Sequence, residues 1–323
     1  MNRIHILCAT DNKYAPYCGI MLTSLFMNAG GSKYHVYIFA DQSLSTCNRM
    51  KFSKLGKEYS CSVEIIEIDN SLLADCPVNT YTNITLPTYY RLLAPKILPK
   101  DIHRVIYLDC DMIIKGSLSY LWNIDLTGKA IAGVVDCEAY NESIYERLDN
   151  YTAERDYFNA GVTVYNLDMW REQDISQQAF EYINKNAEKL YWMDQDVLNV
   201  LLQNLKVLLP MEYNYETIYF LPKNWLNYSD ALKHEILNKS RSPIIIHYNG
   251  PGKPWNFRYY GAPFFDDWDT VRKKSLWKHS RVNKPFIKYI KYLVKRYIMH
   301  PFLQKQIQDS WIVLPENQHC YHV

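Results

Sequence analysis

The chain has 323 residues, 48% of them hydrophobic and 22% charged, which is enough for one large core or two small ones and excludes a disordered chain. No run reaches the roughly 18 apolar residues of a membrane-spanning helix, and the apolar stretch in the opening MNRIHILCATDN is too short for a secretory signal. A net charge of +2 hides an asymmetry: residues 270–305 carry eleven Lys or Arg and no acid, leaving 25 bases against 34 acids elsewhere.

Taken in chain order, IHILCA (4–9) predicts a first strand, and CATDNKYAPY (8–17) turns out of it through Thr10, Asp11, Asn12 and Lys13 before Pro16 opens a helix around 19–28. Alone, that loop is a helix cap; Tyr14 and the polar groups also suit a base or ribose. YHVYIF (34–39), a helix at 44–58 and VEIIEI (63–68) continue the alternation. RVIYLD (104–109) is the fourth strand, AIAGVV (130–135) the fifth and GVTVYNL (161–167) the sixth. Helices at 174–190 and 195–205 precede the last strand, PIIIHY (243–248). Strands alternating with helices predict an α/β fold with a single mixed, mostly parallel sheet flanked by helices. In such sheets ligands bind beyond the carboxyl ends of the strands. Asp11, Asp109, Asp111, Asp136 and His247 all fall there.

Asp109 and Asp111, at i and i+2 on an extended segment, project to one face and can approach a single cation. Unpaired, they would repel; a divalent metal removes that cost. HYNGPGKPW adds His247 and, six residues on, Lys253, with Gly250 and Gly252 between them to let a phosphate approach the backbone. Two carboxylates with one imidazole suit Mn2+ better than Ca2+, and Mg2+ is compatible. YFNAGVTVYNL and MDQDVLN carry Asn159, Asp194, Gln195 and Asp196, amides and acids of the kind that pair with sugar hydroxyls, although acids at a helix start need no ligand.

The eight cysteines show no metal-finger spacing and most sit in apolar runs, which predicts free thiols and a reduced, cytoplasmic compartment. The five N-x-S/T matches are accordingly read as chance. Residues 266–323 read as a basic helical region following a catalytic domain of residues 1–265. Within it, KPFIKYIKYLVKRYIMHPF (284–302) sets apolar residues at helical spacing with Lys and Arg between them. This predicts an amphipathic helix on an anionic membrane surface, the alternative being a helix docked on the acidic body. No nucleic-acid-binding fold accompanies the basic run.

The ordered set CATDNKYAPY, TYYRLLAPKILP, VIYLDCDMIIKGSL, YFNAGVTVYNL, DQDVLN and HYNGPGKPW resembles family 8 glycosyltransferases, over roughly residues 4–260. That resemblance implies a GT-A fold, a UDP-galactose or UDP-glucose donor, Mn2+, retention of anomeric configuration and a glycan or glycolipid acceptor. It further implies Asp109, Asp111 and His247 as metal ligands, and Ala9, Asp11, Tyr14, Arg91, Asp136, Asn159, Gly250 and Lys253 around the donor. Gln195 and Asp194 would lie at the reacting centre. The first loop departs from the bacterial pattern, with Asn12 and Lys13 where a second acid and Asn are usual. The expected location is cytoplasmic, peripheral on the inner face of the cell membrane. Two other chemistries use an Asp-x-Asp after a strand. A haloacid-dehalogenase-type phosphatase usually has Thr or Val where Ile113 stands, and a nucleotidyltransferase needs a Gly-rich first loop that is absent here.

Overall fold

The computed structural model describes residues 3–78, 85–148, 151–152, 156–250, 253–256 and 263–280, together with Ile290 and Val294. Ten strands are present among them: β1 Ile4–Thr10, β2 Tyr34–Ala40, β3 Ser62–Glu67, β4 Arg104–Leu108, β5 Met112–Ile114, β6 Ile131–Val135, β7 Phe158–Asn166, β8 Lys206–Leu208, β9 Tyr215–Glu216 and β10 Ile245–His247. Seven of them form one sheet in the order β3-β2-β1-β4-β7-β6-β8. β1 to β4 run parallel, β7 is antiparallel to both β4 and β6, and β8 is parallel to β6. The mixed, mostly parallel α/β architecture predicted above is therefore present.

Alternation along each strand separates two cores. Ile4, Ile6 and Cys8 of β1 face one side with Val36 and Ile38, while Leu7 faces the other with Tyr37 and Phe39. Burial on both faces is why these strands read as nearly continuous apolar runs. The first face is covered by α1 (Ala15–Met27) and α2 (Thr46–Glu58), the second by α3 (Leu167–Glu172), α4 (Ile175–Asn186) and α5 (Asp194–Leu201). Ser45 caps α2 by accepting from Asn48 N at 3.3 Å. α6 (Asp230–Lys239) and α7 (Phe265–Lys274) complete the first face.

Three short strands, β5-β10-β9, form a second sheet that the hydrophobic pattern did not separate from the first. Runs of two or three residues carry no readable period. This sheet nonetheless decides the site. Antiparallel pairing sets His247 opposite Met112, and Tyr248 N donates to Asp111 O at 2.9 Å. Residues 266–280 pack on the body rather than standing apart from it: Trp268, Val271 and Trp277 belong to the first core. Trp277 Nε1 donates to Asn48 Oδ1 at 2.9 Å.

Candidate active site

β4 ends at Leu108 and β5 begins at Met112, so Asp109, Cys110 and Asp111 form the bend linking the two sheets. This corrects the expectation of a continuous extended segment. The two carboxylates converge because the chain turns between them, while Cys110 points inward and its Sγ donates to Ala9 O at 3.1 Å. Ligand atoms of Asp109, Asp111 and His247 lie within 4.8 Å of one another.

Each member is held differently. Asp109 Oδ1 accepts from Arg91 Nη2 and from the Tyr107 hydroxyl, both at 2.9 Å. Asp111 Oδ1 lies 3.3 Å from His247 Nε2, and its Oδ2 accepts from Lys253 Nζ, which also donates to Tyr248 O at 2.8 Å. Burial opposes ionisation of Asp111, yet Lys253 and His247 outweigh it and hold the carboxyl well below the usual carboxylate range. His247 Nδ1 is 2.9 Å from Asn214 Oδ1. With the proton on Nδ1 it donates to that amide, and Nε2 is left to face the carboxylates.

From Asn214 a chain of hydrogen bonds runs across the floor. Asn214 Nδ2 donates to Asn159 Oδ1 at 2.9 Å, Asn159 Nδ2 to Asp136 Oδ2 at 2.6 Å, and Gln195 Nε2 to the same Asp136 oxygen at 3.1 Å. Gln195 Oε1 accepts from Ala160 N at 2.9 Å, so its amide is tied at both ends. Burial raises the Asp136 carboxyl, opposed by these bonds. A register shift in the β6–β7 pairing, next to Gly133 and Val134, accompanies this geometry. Such irregularities re-aim side chains beside functional sites.

Arg91 is buried and central. Besides Asp109, it lies with Nε 2.9 Å from Asp194 Oδ2, although that N–H is directed at Thr88 O, 3.1 Å away. Asp194 Oδ1 accepts from the Thr88 hydroxyl at 3.0 Å. Burial pushes the Asp194 carboxyl up to about 6 even against the pull of Arg91. Asp196, two residues on, faces away from this group: it accepts from Tyr191 N and Trp192 N at 2.8 Å and from the Tyr157 hydroxyl at 2.6 Å, and pairs with Arg147. It is a fully buried organiser of the α5 entry.

In the first loop, Asp11 Oδ1 accepts from Tyr14 N at 2.7 Å, the capping arrangement. Asn12 Oδ1 accepts from Ser45 N and Asn48 Nδ2, fastening the loop to α2, whereas Lys13 is exposed. Tyr14 packs edge-on to Tyr17 and Trp255, which stack on each other at 3.6 Å. Burial and then the Asp111 charge raise the Tyr14 hydroxyl, which places the loop within electrostatic reach of the acidic pair. Gly250 has φ +67°, and a Cβ there would meet Ile218 Cγ2 at 2.9 Å.

Sequence reasoning missed Asn214, Thr88, Tyr107, Glu216 and Gly161. A methyl on Gly161 would stand 2.5 Å from His247 Cε1, 2.8 Å from Asp109 Oδ2 and 2.9 Å from Asn159 Oδ1. Its signal was a glycine inside a strand, which marks close approach. Buried Glu216 accepts from Cys137 N at 3.1 Å and from Asn249, and burial then the Asp136 charge raise its carboxyl strongly. Asp136, Cys137 and Glu216 also lie within 4.8 Å of one another, but hydrogen bonds from within the chain take up their carboxylate oxygens.

The Asp109, Asp111 and His247 group fits a divalent cation. Its donors are two hard oxygens and an oriented imidazole nitrogen, and a cation, the Lys253 ammonium, already rests on Asp111.

Known proteins share this plan. The family model described as glycosyl transferase family 8 matches residues 5–258. A Haemophilus influenzae protein provisionally named a glycosyltransferase is 31% identical over 307 residues, covering 91% of this chain and 87% of that protein. The lipopolysaccharide 1,2-glucosyltransferase of Escherichia coli K12 is 26% identical over 302 residues, 93% of this chain and 87% of the relative. Among solved structures, the galactosyltransferase LgtC in complex with donor and acceptor sugar analogues matches with a TM-score of 0.74 at 24% identity, covering 88% of this chain and 98% of that one. At that identity the likeness speaks for the fold.

Proposed function

The chain belongs to glycosyl transferase family 8, with the GT-A fold, and from that premise we propose a retaining transferase that moves galactose or glucose from its UDP conjugate to a glycan or glycolipid of the cell surface. Membership in this family leaves the phosphatase and nucleotidyltransferase alternatives without support. The observation that carries the proposal is the convergence of Asp109, Asp111, His247 and Lys253 at one point, joined through Asn214 and Asn159 to Asp136 and Gln195.

In this reading Asp109, Asp111 and His247 hold Mn2+, or Mg2+, which when bound supplies positive charge beside the donor diphosphate. Lys253 leaves Asp111 for the diphosphate, and Gly250 lets the backbone come close. Negative charge that develops on the departing UDP meets the Lys253 ammonium, already fixed by the Tyr248 carbonyl. Ala9, Asp11 and Tyr14 lie along the nucleoside. Arg91, Asp136 and Asn159 surround the sugar. Gln195, tied at both ends, positions the anomeric carbon rather than attacking it. Asp194 adds negative charge behind Arg91 as the sugar becomes cation-like. Retention then proceeds by front-face attack, with the leaving phosphate oxygen taking the acceptor's proton.

The test is acceptor-free hydrolysis of UDP-galactose and UDP-glucose. Slow, Mn2+-dependent release of UDP is expected, abolished in Asp111→Asn. If neither hydrolysis nor Mn2+-dependent UDP binding is found, the proposal fails.

The same reading includes peripheral membrane association through residues 284–302, on the cytoplasmic side. That segment lies outside the described residues apart from Ile290 and Val294, both exposed. Among the described residues no helix is long and apolar enough to cross a membrane.

A further inference from the structure

The side-chain amide of Asn48, in the first turn of α2, is engaged at both ends. Trp277 Nε1 donates to Asn48 Oδ1 at 2.9 Å, and Asn48 Nδ2 donates to Asn12 Oδ1 at 2.9 Å. An indole N–H donates and never accepts, so Trp277 fixes which end of the amide faces it and leaves the Asn48 hydrogens for Asn12. Asn12 answers with its oxygen, which also accepts from Ser45 N at 3.0 Å. The polarity of this relay is therefore set by an aromatic side chain 229 positions from Asn48 in the sequence.

The two ends of the relay differ in stiffness. Trp277 is 3% exposed, its ring lies against Gly19 of α1 and Phe52 of α2, and the Lys51 ammonium stands 5.7 Å from the ring centroid. Filling that space needs only the ring; the N–H is what reaches Asn48. Asn12, by contrast, is exposed in the loop between β1 and α1. Its own N–H donates to Ser43 Oγ at 3.3 Å, and with the two bonds to its side-chain oxygen this fastens the loop to residues 43–48. Asp11 precedes it and Tyr14 follows two residues on, the pair placed along the nucleoside above. Nothing in the chemistry of transfer uses Trp277 or Asn48.

We propose that Trp277 and Asn48 are positioning residues for the donor nucleoside: through Asn12 they hold the loop 11–14 in the shape that receives it. A loop already held costs less to order when the nucleotide binds, so the relay acts on donor affinity and not on the chemical step. The assignment rests on the glycosyltransferase reading and deepens it. It also makes residues 266–280, which follow the boundary expected at 265, part of the donor-binding unit, and leaves the membrane role to the segment beyond them.

Three variants of the full chain test this, with Mn2+ present and UDP-galactose and UDP-glucose as donors. Trp277→Phe keeps a ring and removes the N–H. Asn48→Asp still accepts from Trp277 but has no hydrogen to give Asn12. Asn12→Ala removes the far end. Each should raise KM for acceptor-free donor hydrolysis and Kd for UDP about 3- to 10-fold, the scale of one hydrogen bond, with kcat within about twofold and Mn2+ affinity unchanged. Trp277→Phe added to Asn12→Ala should raise KM no further, because both cut one path. Without nucleotide, hydrogen exchange in peptides spanning residues 10–17 and 43–48 should quicken in Trp277→Phe and Asn48→Asp. A role in folding alone would lower the unfolding midpoint and leave KM, Kd and loop exchange as in the wild type; that result, or effects that multiply in the double variant, overturns the proposal. A wild-type chain that neither binds UDP nor hydrolyses either donor would overturn the donor reading instead, and loop exchange would still decide whether the relay holds the loop.

Discussion

Gly161 stands where β7 passes beneath the imidazole of His247, with room for a hydrogen and nothing larger. Gly161→Ala must displace His247, Asp109 or Asn159, and overpacking of this kind costs about 1–3 kcal/mol. Because the displaced groups include two of the metal-binding set, Mn2+ affinity should fall by ~10-fold or more, the usual effect of disturbing ligand orientation; a Mn2+ titration followed by electron paramagnetic resonance measures it. Asp194 makes a second prediction. Its folded-state value of about 6 lies above the ordinary 3.8, so between those values the folded chain keeps a proton that the unfolded chain has released. Stability from this group therefore falls as pH rises through that window and is level above it, by at most about 3 kcal/mol. Denaturant midpoints between pH 4 and 6 should show that fall in the wild type and a shallower one in Asp194→Asn. Equal slopes would count against the burial of Asp194.

Among the elements, β1, β2, β4, β6 and β7 were legible because each is buried on both faces and runs as an apolar segment of five residues or more, and β3 because Val63, Ile65 and Ile66 stand out between exposed Glu64 and Glu67. β5, β8 and β9 were not, since two or three residues carry no period, and the 3-10 turn Leu86–Leu93 that presents Arg91 gives no helical stripe long enough to read. The segment after α7 is a further case. Trp277 seats its ring over Gly19 of α1, where a Cβ would lie 2.2 Å from Cζ3, and stacks obliquely on Phe52 at 4.9 Å. Removing so buried an indole typically costs 3–5 kcal/mol. Trp277→Ala should lower the midpoint of chemical unfolding accordingly, and an unchanged midpoint would show that residues 266–280 contribute no stability to the body.

At the scale of the whole molecule, charge divides the chain: the body is acidic and the basic residues gather after Thr270. Deleting residues 284–323 should leave donor hydrolysis intact and abolish sedimentation with anionic vesicles, since polybasic attraction falls off within a Debye length of the surface. Equal vesicle binding by both forms would remove the membrane role. By itself the sequence determined the α/β class, the strand ends at which a site must lie, and the local clusters D-C-D, H-Y-N-G-P-G-K and D-Q-D, because each is written in neighbouring residues. Only the tertiary structure decided how they meet. His247 and Lys253 reach Asp111 across 142 positions at the widest because β10 pairs antiparallel with β5. Asn214 selects the imidazole nitrogen, and Gly161 clears the space between them. Those contacts depend on strand register and on the packing of distant segments, and no local pattern of residue types encodes either.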